Sequence, residues 1–431
     1  MNIYLKKLVF KLGTRWRNPT LTKSLEYLAN SETWTLEKLL LEQEKRLNDF
    51  FRHVYETREV YREHWGEKGR DLYNNWSKEG FQNIIACDKS FLIAENKRIH
   101  DDVSARNKSF FSETSGTSGQ ILTFSKGEEW DSFNRAFVFR ALSWFNVQPW
   151  NYSLYFWGYN VSTFTRIKSN VQDFLVNRFR VFNYEDRGII ALKKRLSRAS
   201  YIEGYSSVIY ELAKMCKSDD SFPKNLKLIK GTSEKIYAHY HKATIQAFGL
   251  KIRSEYGAAE SGVIATECTH GKMHLNVLGV YVEVDENNEI LVTNLVSHSF
   301  PIVRYRLGDS VRLSEEKCSC GLEHPILEEV TGRVGKNIYG VRKKYASLTL
   351  YYIFKNLYFN HGIAVDYQVH QLTKGELEVW VKDDLKNKEQ EALYKECYKF
   401  FANDMKITLK VKPIFYQESG KLKDFISFID N

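Results

Sequence analysis

Thr114-Ser115-Gly116-Thr117-Ser118-Gly119-Gln120 is the stretch of this 431-residue chain on which the reading of the fold turns. Glycines interleaved with hydroxyl residues let the backbone approach a phosphate closely. Amide and hydroxyl donors can then satisfy the phosphate oxygens. No Gly-Lys-Ser/Thr follows, which separates the loop from a Walker P-loop. Such a run is by itself more often a plain surface loop, so its meaning depends on what lies around it.

On its C-terminal side, β-like runs (Leu154 to Trp157, Leu226 to Ile229, Lys251 to Glu255) alternate with helical patterns such as Trp130 to Phe145 and Ser206 to Met215. That alternation predicts an α/β layer fold with a largely parallel sheet. From Val280 to Leu313 the strands crowd together, with a turn at Asp285-Glu286-Asn287-Asn288, which predicts an antiparallel, barrel-like subdomain. After Gly332-Arg333 strands and helices mix again over a hundred residues, enough for a separate α+β lid. The expected domains are therefore 1–331 and 332–431. On the N-terminal side, residues 1–65 form a helical leader. Within it, Leu36, Leu39, Leu40, Leu47, Phe50, Phe51 and Val54 recur near the 3.6 period, and residues 35–61 read as one amphipathic helix with Glu42 four before Arg46.

Hydrophobic residues at 43% and charged residues at 27% describe a folded protein rather than a disordered one. The net charge of +10 raises nucleic acid as a partner, but the basic residues are scattered and no compact nucleic-acid motif occurs, so none is expected. Six cysteines in so long a chain make no disulfide framework, and a cytoplasmic, reducing compartment is the expectation. No apolar stretch nears the ~18 residues of a membrane helix. Residues 1–17 set Leu5, Leu8, Val9 and Leu12 at helical spacing beside Lys6, Lys7, Lys11 and Arg15. Such a helix suits peripheral contact with an anionic membrane, or packing on its own domain.

Four more segments follow the loop in order: Ser254-Glu255-Tyr256-Gly257-Ala258-Ala259-Glu260, Arg304-Tyr305-Arg306-Leu307-Gly308-Asp309, Gly332-Arg333-Val334-Gly335-Lys336, and Glu418-Ser419-Gly420-Lys421-Leu422-Lys423. The ordered set resembles the core motifs of the adenylate-forming superfamily of acyl-CoA synthetases, nonribosomal-peptide adenylation domains and luciferases. Within it, the chain is most similar to the phenylacetate–CoA ligase-like branch, which includes capsular polysaccharide enzymes. The resemblance runs from residue 114 to residue 423. It implies a large N-terminal adenylation domain, a mobile C-terminal lid, and an AMP-forming ligase that turns a carboxylic acid and ATP into acyl-AMP and pyrophosphate.

Carried over residue by residue, the resemblance implies that Thr114, Ser115, Gly116, Thr117, Ser118 and Gly119 hold the β- and γ-phosphates. Tyr256, beside Gly257, would stack on adenine, Glu260 would bind Mg²⁺, and Asp309 would accept hydrogen bonds from both ribose hydroxyls. Arg333 would contact the ribose or α-phosphate. Gly335 would be the hinge, where glycine absorbs large backbone changes at little steric cost. Lys421 would enter from the lid, supplying positive charge as two anions meet. Two positions depart from the family pattern: Ile121 follows Gln120 where a proline is usual, and Ala259 replaces a hydroxyl residue before Glu260.

Trp157, Tyr205 and Glu234 are candidates for the acid pocket. Cys268, His274, Cys318 and Cys320 form a candidate Cys₃His zinc site of structural type, with His270 the rival fourth ligand. The acceptor of the acyl group is coenzyme A or an amine, including the amino group of a surface-polysaccharide sugar. A carrier-protein thiol is a further alternative. So is a nucleotide-binding scaffold without turnover.

Overall fold

The computed structural model describes residues 3–100, 108–114, 122–156, 163–181, 186–216, 223–333, 337–412 and 424–429. Its first hundred residues are helical: α1 (Ile3–Arg17), α2 (Leu21–Asn30), α3 (Leu36–Thr57), α4 (Glu59–Asn74), α5 (Lys78–Asn83), α6 (Lys89–Ala94) and α7 (Asn96–Ile99). In α3 the Thr35 hydroxyl accepts from the Lys38 amide, capping the first turn, and Leu39, Leu47, Phe50, Phe51 and Val54 face inward. Glu42 and Arg46 both converge on Tyr27, the carboxylate accepting from its hydroxyl and the guanidinium lying over its ring.

The helix stops at Thr57, four residues before the sequence pattern ends. Arg58 there leaves helical geometry (φ −124°, ψ 99°), and its buried guanidinium donates to the carbonyls of Ile99 and His298. Those two bonds satisfy a buried cation that an unbroken helix would point elsewhere.

β1 (Ser109–Glu113) and β2 (Thr123–Gly127) pair as an antiparallel hairpin, and α8 (Glu128–Ser143) leaves directly from its second strand. The central sheet then forms from β3 (Ser153–Phe156), β4 (Arg178–Arg180), β5 (Tyr201–Tyr205), β6 (Leu228–Thr232) and β7 (Ile252–Ala258), all parallel. Parallel neighbours require crossovers, and α9 (Thr163–Leu175), α10 (Asp186–Lys193), α11 (Ser206–Met215) and α12 (Ala238–Phe248) supply them. From β7 the pairing becomes antiparallel through β8 (Gly262–Glu267), β9 (Met273–Leu275), β10 (Val280–Val284), β11 (Glu289–Asn294), β12 (Tyr305–Ser314) and β13 (Ile326–Arg333). The order β10-β11-β12-β13-β9-β8-β7-β6-β5-β3-β4 joins both halves into one eleven-stranded sheet. The antiparallel run expected as a barrel-like subdomain is thus hydrogen-bonded to the parallel strands. Its turn at Asp285 is built as predicted, the carboxylate accepting from the amides of Asn287 and Glu289.

β14 (Asn337–Tyr339) and β15 (Lys344–Ala346) make a short hairpin. Beyond it lie α13 (Leu348–His361), β16 (Tyr367–Gln371), β17 (Glu376–Val381), α14 (Asn387–Phe401), β18 (Lys406–Val411) and β19 (Phe425–Ser427). Their strands form a separate sheet in the order β18-β17-β16-β19, and Ile353, Leu357, Val369, Leu377 and Leu393 pack in a core distinct from those of the large sheet. Polar contacts join this part to the rest: Lys382 to Glu211 at 2.8 Å, and His239 to Asp366 at 3.3 Å.

Candidate functional site

The ends of the phosphate-loop candidate are fixed by the hairpin. Thr114 is buried, its amide donates to the Leu122 carbonyl at 2.9 Å, and its hydroxyl accepts from the Leu122 amide at 3.0 Å. Ser115, Gly116, Thr117, Ser118 and Gly119 lie outside the described residues, as do Trp157, Gly335 and Lys421.

Tyr256 and Asp309, fifty-three positions apart in the chain, meet directly: the phenol donates to the Asp309 carboxylate at 2.9 Å. Asp309 in turn pairs with Arg333 in the β12–β13 ladder, so the backbone sets these two predicted residues side by side. Glu260, in the turn between β7 and β8, is 6% exposed and accepts from the Tyr305 hydroxyl at 3.0 Å. Gly257 makes the turn possible: a side-chain carbon there would lie 2.3 Å from the Gly262 carbonyl oxygen, at a bulge in the β7–β8 register.

Tyr305 was not singled out in the sequence. It stands four residues before Asp309 on β12, but a bulge between Arg306 and Ser310, with Gly308 at φ +80°, breaks the period-two alternation between them. Lys126, on β2, is a second residue missed. Its ammonium lies 5.3 Å from the centre of the Trp130 ring; burial lowers its pKa, partly opposed by Asp131 and Glu260.

The C-terminal ends of parallel strands, where ligands bind in open α/β sheets, carry the acid-pocket candidates. Tyr205 closes β5, and burial followed by the nearness of Glu234 and Tyr155 pushes its phenol up to about 12. Glu234, just beyond β6, accepts from the Ser207 amide at 2.9 Å at the start of α11. Beside it the Ser206 and Ser207 hydroxyls are buried and, among the described residues, have no hydrogen-bond partner.

Further along these strands Lys230, with its side chain 5% exposed, lies 2.7 Å from Glu255 and 3.2 Å from Glu203. Burial alone would lower its pKa, but the two carboxylates hold it above the usual lysine value. Lys230→Met would leave both acids without their cation in a nearly closed space. We expect a loss of about 3 kcal/mol, read by urea titration; unchanged stability would mean that water reaches the carboxylates.

Cys268, His274, Cys318 and Cys320 converge, their ligand atoms all within 4.8 Å of one another. The Cys268 and Cys318 sulfurs are 3.7 Å apart, close to the ~3.8 Å edge that two Zn–S bonds of about 2.3 Å subtend in a tetrahedron. The His274 Nδ1–H donates to the His324 carbonyl at 2.9 Å, which leaves Nε2 bare, 3.2 Å from the Cys320 sulfur. Burial opposes ionisation of Cys268, yet hydrogen bonding with His274, the Lys272 and His270 backbone and Cys318 brings its thiol down to about 6. Gly321, at φ +88°, completes the turn that places Cys318 and Cys320 together. His270 is exposed and bonded to the Thr269 hydroxyl, so it stands outside the cluster.

No protein-family profile matches the chain. A search of curated proteins finds Protein CapK of Staphylococcus aureus, 26% identical over 125 residues, and the match takes in only 27% of each chain. Solved structures match over far more. A 2-hydroxyisobutyryl-CoA ligase in the postadenylation state with 2-HIB-AMP superposes with TM-score 0.69 at 16% identity, covering 89% of this chain and 88% of that one. The same ligase with 2-HIB-AMP and CoA in the thioesterification state gives 0.60, also at 16% identity, over 92% and 91%. An ATP-bound RpMatB–BxBclM chimera gives 0.51 at 14% identity, over 72% and 66%.

The chain has the adenylate-forming ligase fold.

On this fold the β7–β8 turn and the middle of β12 bring Glu260, Tyr256 and Asp309 together from separate stretches of sequence, while Thr114 ends the first strand of the separate β1–β2 hairpin. The zinc-type cluster lies elsewhere, where the β8–β9 turn meets the β12–β13 connection.

Proposed function

We propose that the protein is an AMP-forming ligase that activates a carboxylic acid as its acyl-AMP. The observation that carries this reading is the contact of Tyr256 with Asp309, beside Arg333 in the ladder and with Tyr305 of the same strand bonded to Glu260. A substrate carboxylate oxygen attacks the α-phosphorus of ATP. The bond to the bridging oxygen breaks, and pyrophosphate leaves with the electron pair. Asp309 would hold the ribose, Tyr256 the adenine, and Arg333 the ribose or α-phosphate. Thr114 to Gly119 would hold the leaving phosphates. Glu260 would carry Mg²⁺, which neutralises charge as the two anions meet, and Lys421 would add a second positive charge.

The chain would divide into an adenylation domain of residues 1–331 and a mobile lid of residues 332–431 turning at Gly335. The separate core of the C-terminal sheet favours that division. A nucleophile then attacks the acyl carbon and AMP leaves. Coenzyme A and an amine are the two acceptors we infer, and the partial likeness to Protein CapK favours a place in capsular polysaccharide synthesis, with an amino sugar as one acceptor. The activated acid would bind among Trp157, Tyr205 and Glu234. We infer a polar acid (amino, hydroxy or uronic), because an apolar one would leave the Ser206 and Ser207 hydroxyls unpaired, at about 1–3 kcal/mol each. The Cys₃His cluster would hold a structural zinc ion. All six cysteines are free, which favours a reducing, cytoplasmic setting.

The test is carboxylate-dependent ATP–pyrophosphate exchange across aryl, fatty, amino, hydroxy and uronic acids. The expected result is exchange with one polar class, abolished in Lys421→Ala. Mg-ATP binding without exchange for any acid would instead leave a nucleotide-binding scaffold.

A further inference from the structure

We propose that α1 and α9 together form a docking surface for an anionic lipid bilayer. The inward face of α1 packs on the body of the protein. The Phe10 ring lies 5.7 Å from Phe139 and 5.9 Å from Trp150, and Arg17 pairs with Asp131 at 3.0 Å. The opposite face carries Leu5, Leu8, Leu12 and Trp16, which are 48%, 53%, 60% and 78% exposed. α9 repeats the arrangement. Its Asp173 is buried against Arg178 and Arg180, holding one face to β4, while Ile167, Val171, Phe174 and Leu175 are exposed at i, i+4, i+7 and i+8.

That spacing belongs to the core-facing stripe of an amphipathic helix, and here both stripes meet solvent. The two helices are neighbours: the Lys6 ammonium donates to Asn177 and lies 5.5 Å from the centre of the Phe174 ring.

Charge selects the occupant. α1 has no acidic residue; Lys6, Lys7 and Arg17 turn toward the protein, and Lys11 and Arg15 flank the apolar stripe. A second copy of the chain would bring these like charges together across an interface. An anionic headgroup layer attracts them while the apolar stripe enters the acyl boundary. With 15 residues α1 is far too short to span a bilayer, and no helix among the described residues is long and apolar enough to do so, so it would lie in the plane of the interface.

Flotation of the full chain with vesicles tests the surface without reference to adenylation. Binding is expected to phosphatidylglycerol–phosphatidylcholine vesicles and to be weak on phosphatidylcholine alone. Leu8→Asp with Leu12→Asp, on α1, and Val171→Asp with Phe174→Asp, on α9, should each lower the partition coefficient at least about tenfold. All four side chains are exposed, so the variants should melt as the wild type does. No flotation, equal binding to both vesicles, or binding that survives either pair of substitutions overturns the proposal. So does a dimer in sedimentation that the same substitutions dissociate, because that would make a second copy the occupant.

Discussion

Asp309→Ala is expected to lower kcat/KM for ATP in the exchange reaction about a thousandfold. Each hydrogen bond between an ionised carboxylate and a ribose hydroxyl is worth about 1.5–3 kcal/mol, and Asp309 would make two. The substitution also removes the carboxylate that accepts from the Tyr256 phenol at 2.9 Å, one contact of the ring that would stack on adenine. The two losses act on one bound nucleotide and do not simply add. Tyr256→Phe separates them: it keeps the stacking face and removes only the phenol contact, and should cost about tenfold. Both losses should fall on ATP, with the KM for the acid little changed. An Asp309→Ala enzyme within threefold of wild type would remove the nucleotide site from this position. A fall confined to the acid KM would move Asp309 to the other substrate.

Sequence periodicity located the local elements well. α11 runs from Ser206 to Met215 as its pattern predicts, and the Val280–Val284 strand and its Asp285 turn fall where expected. What could not be read was long-range pairing. Whether the antiparallel strands close on themselves or continue the parallel sheet depends on β7 meeting β8, and period-two alternation is the same in both cases. The end of α3 was misplaced for a similar reason. Val60 and Tyr61 continue the apolar texture past Thr57, but the carbonyls that capture Arg58 come from Ile99 and His298, far away in sequence.

The site shows the same division. Asp309, Tyr256 and Glu260 could be nominated from the sequence because each sits in an ordered motif. Tyr305 and Lys126 could not, because their roles arise from contacts that only the folded sheet creates. The sequence put His274 as the fourth ligand of the cysteine cluster, with His270 the rival, and the structure gathers His274. The His324 carbonyl, which orients the His274 ring, is the deciding partner, and no spacing rule points to it.

Zinc removal should have the second large effect, and it falls on stability. As purified, the protein is expected to carry one zinc ion per chain, measured by mass spectrometry. Cys318→Ser should lose it and unfold with a Tm lower by on the order of 5 °C, about 4 kcal/mol. The expected size follows from what the cluster joins. Cys268 sits in the turn from β8 to β9 and His274 on β9, whereas Cys318 and Cys320 belong to the connection from β12 to β13. Without metal, three nearby thiols and an imidazole hold these segments through weak sulfur hydrogen bonds, the shortest being 3.2 Å. A metal would replace them with four strong bonds and would fix the connection that follows the strand presenting Asp309 and Tyr305. Exchange activity of Cys318→Ser should therefore fall with its folded fraction on heating, leaving the ATP KM of the folded enzyme nearly unchanged. His270→Ala should retain both zinc and Tm, since its ring bonds to Thr269 outside the cluster. Wild-type protein free of zinc but equally stable would reduce the four residues to a buried thiol cluster. Loss of zinc in His270→Ala would return the fourth position to the residue that the geometry excludes.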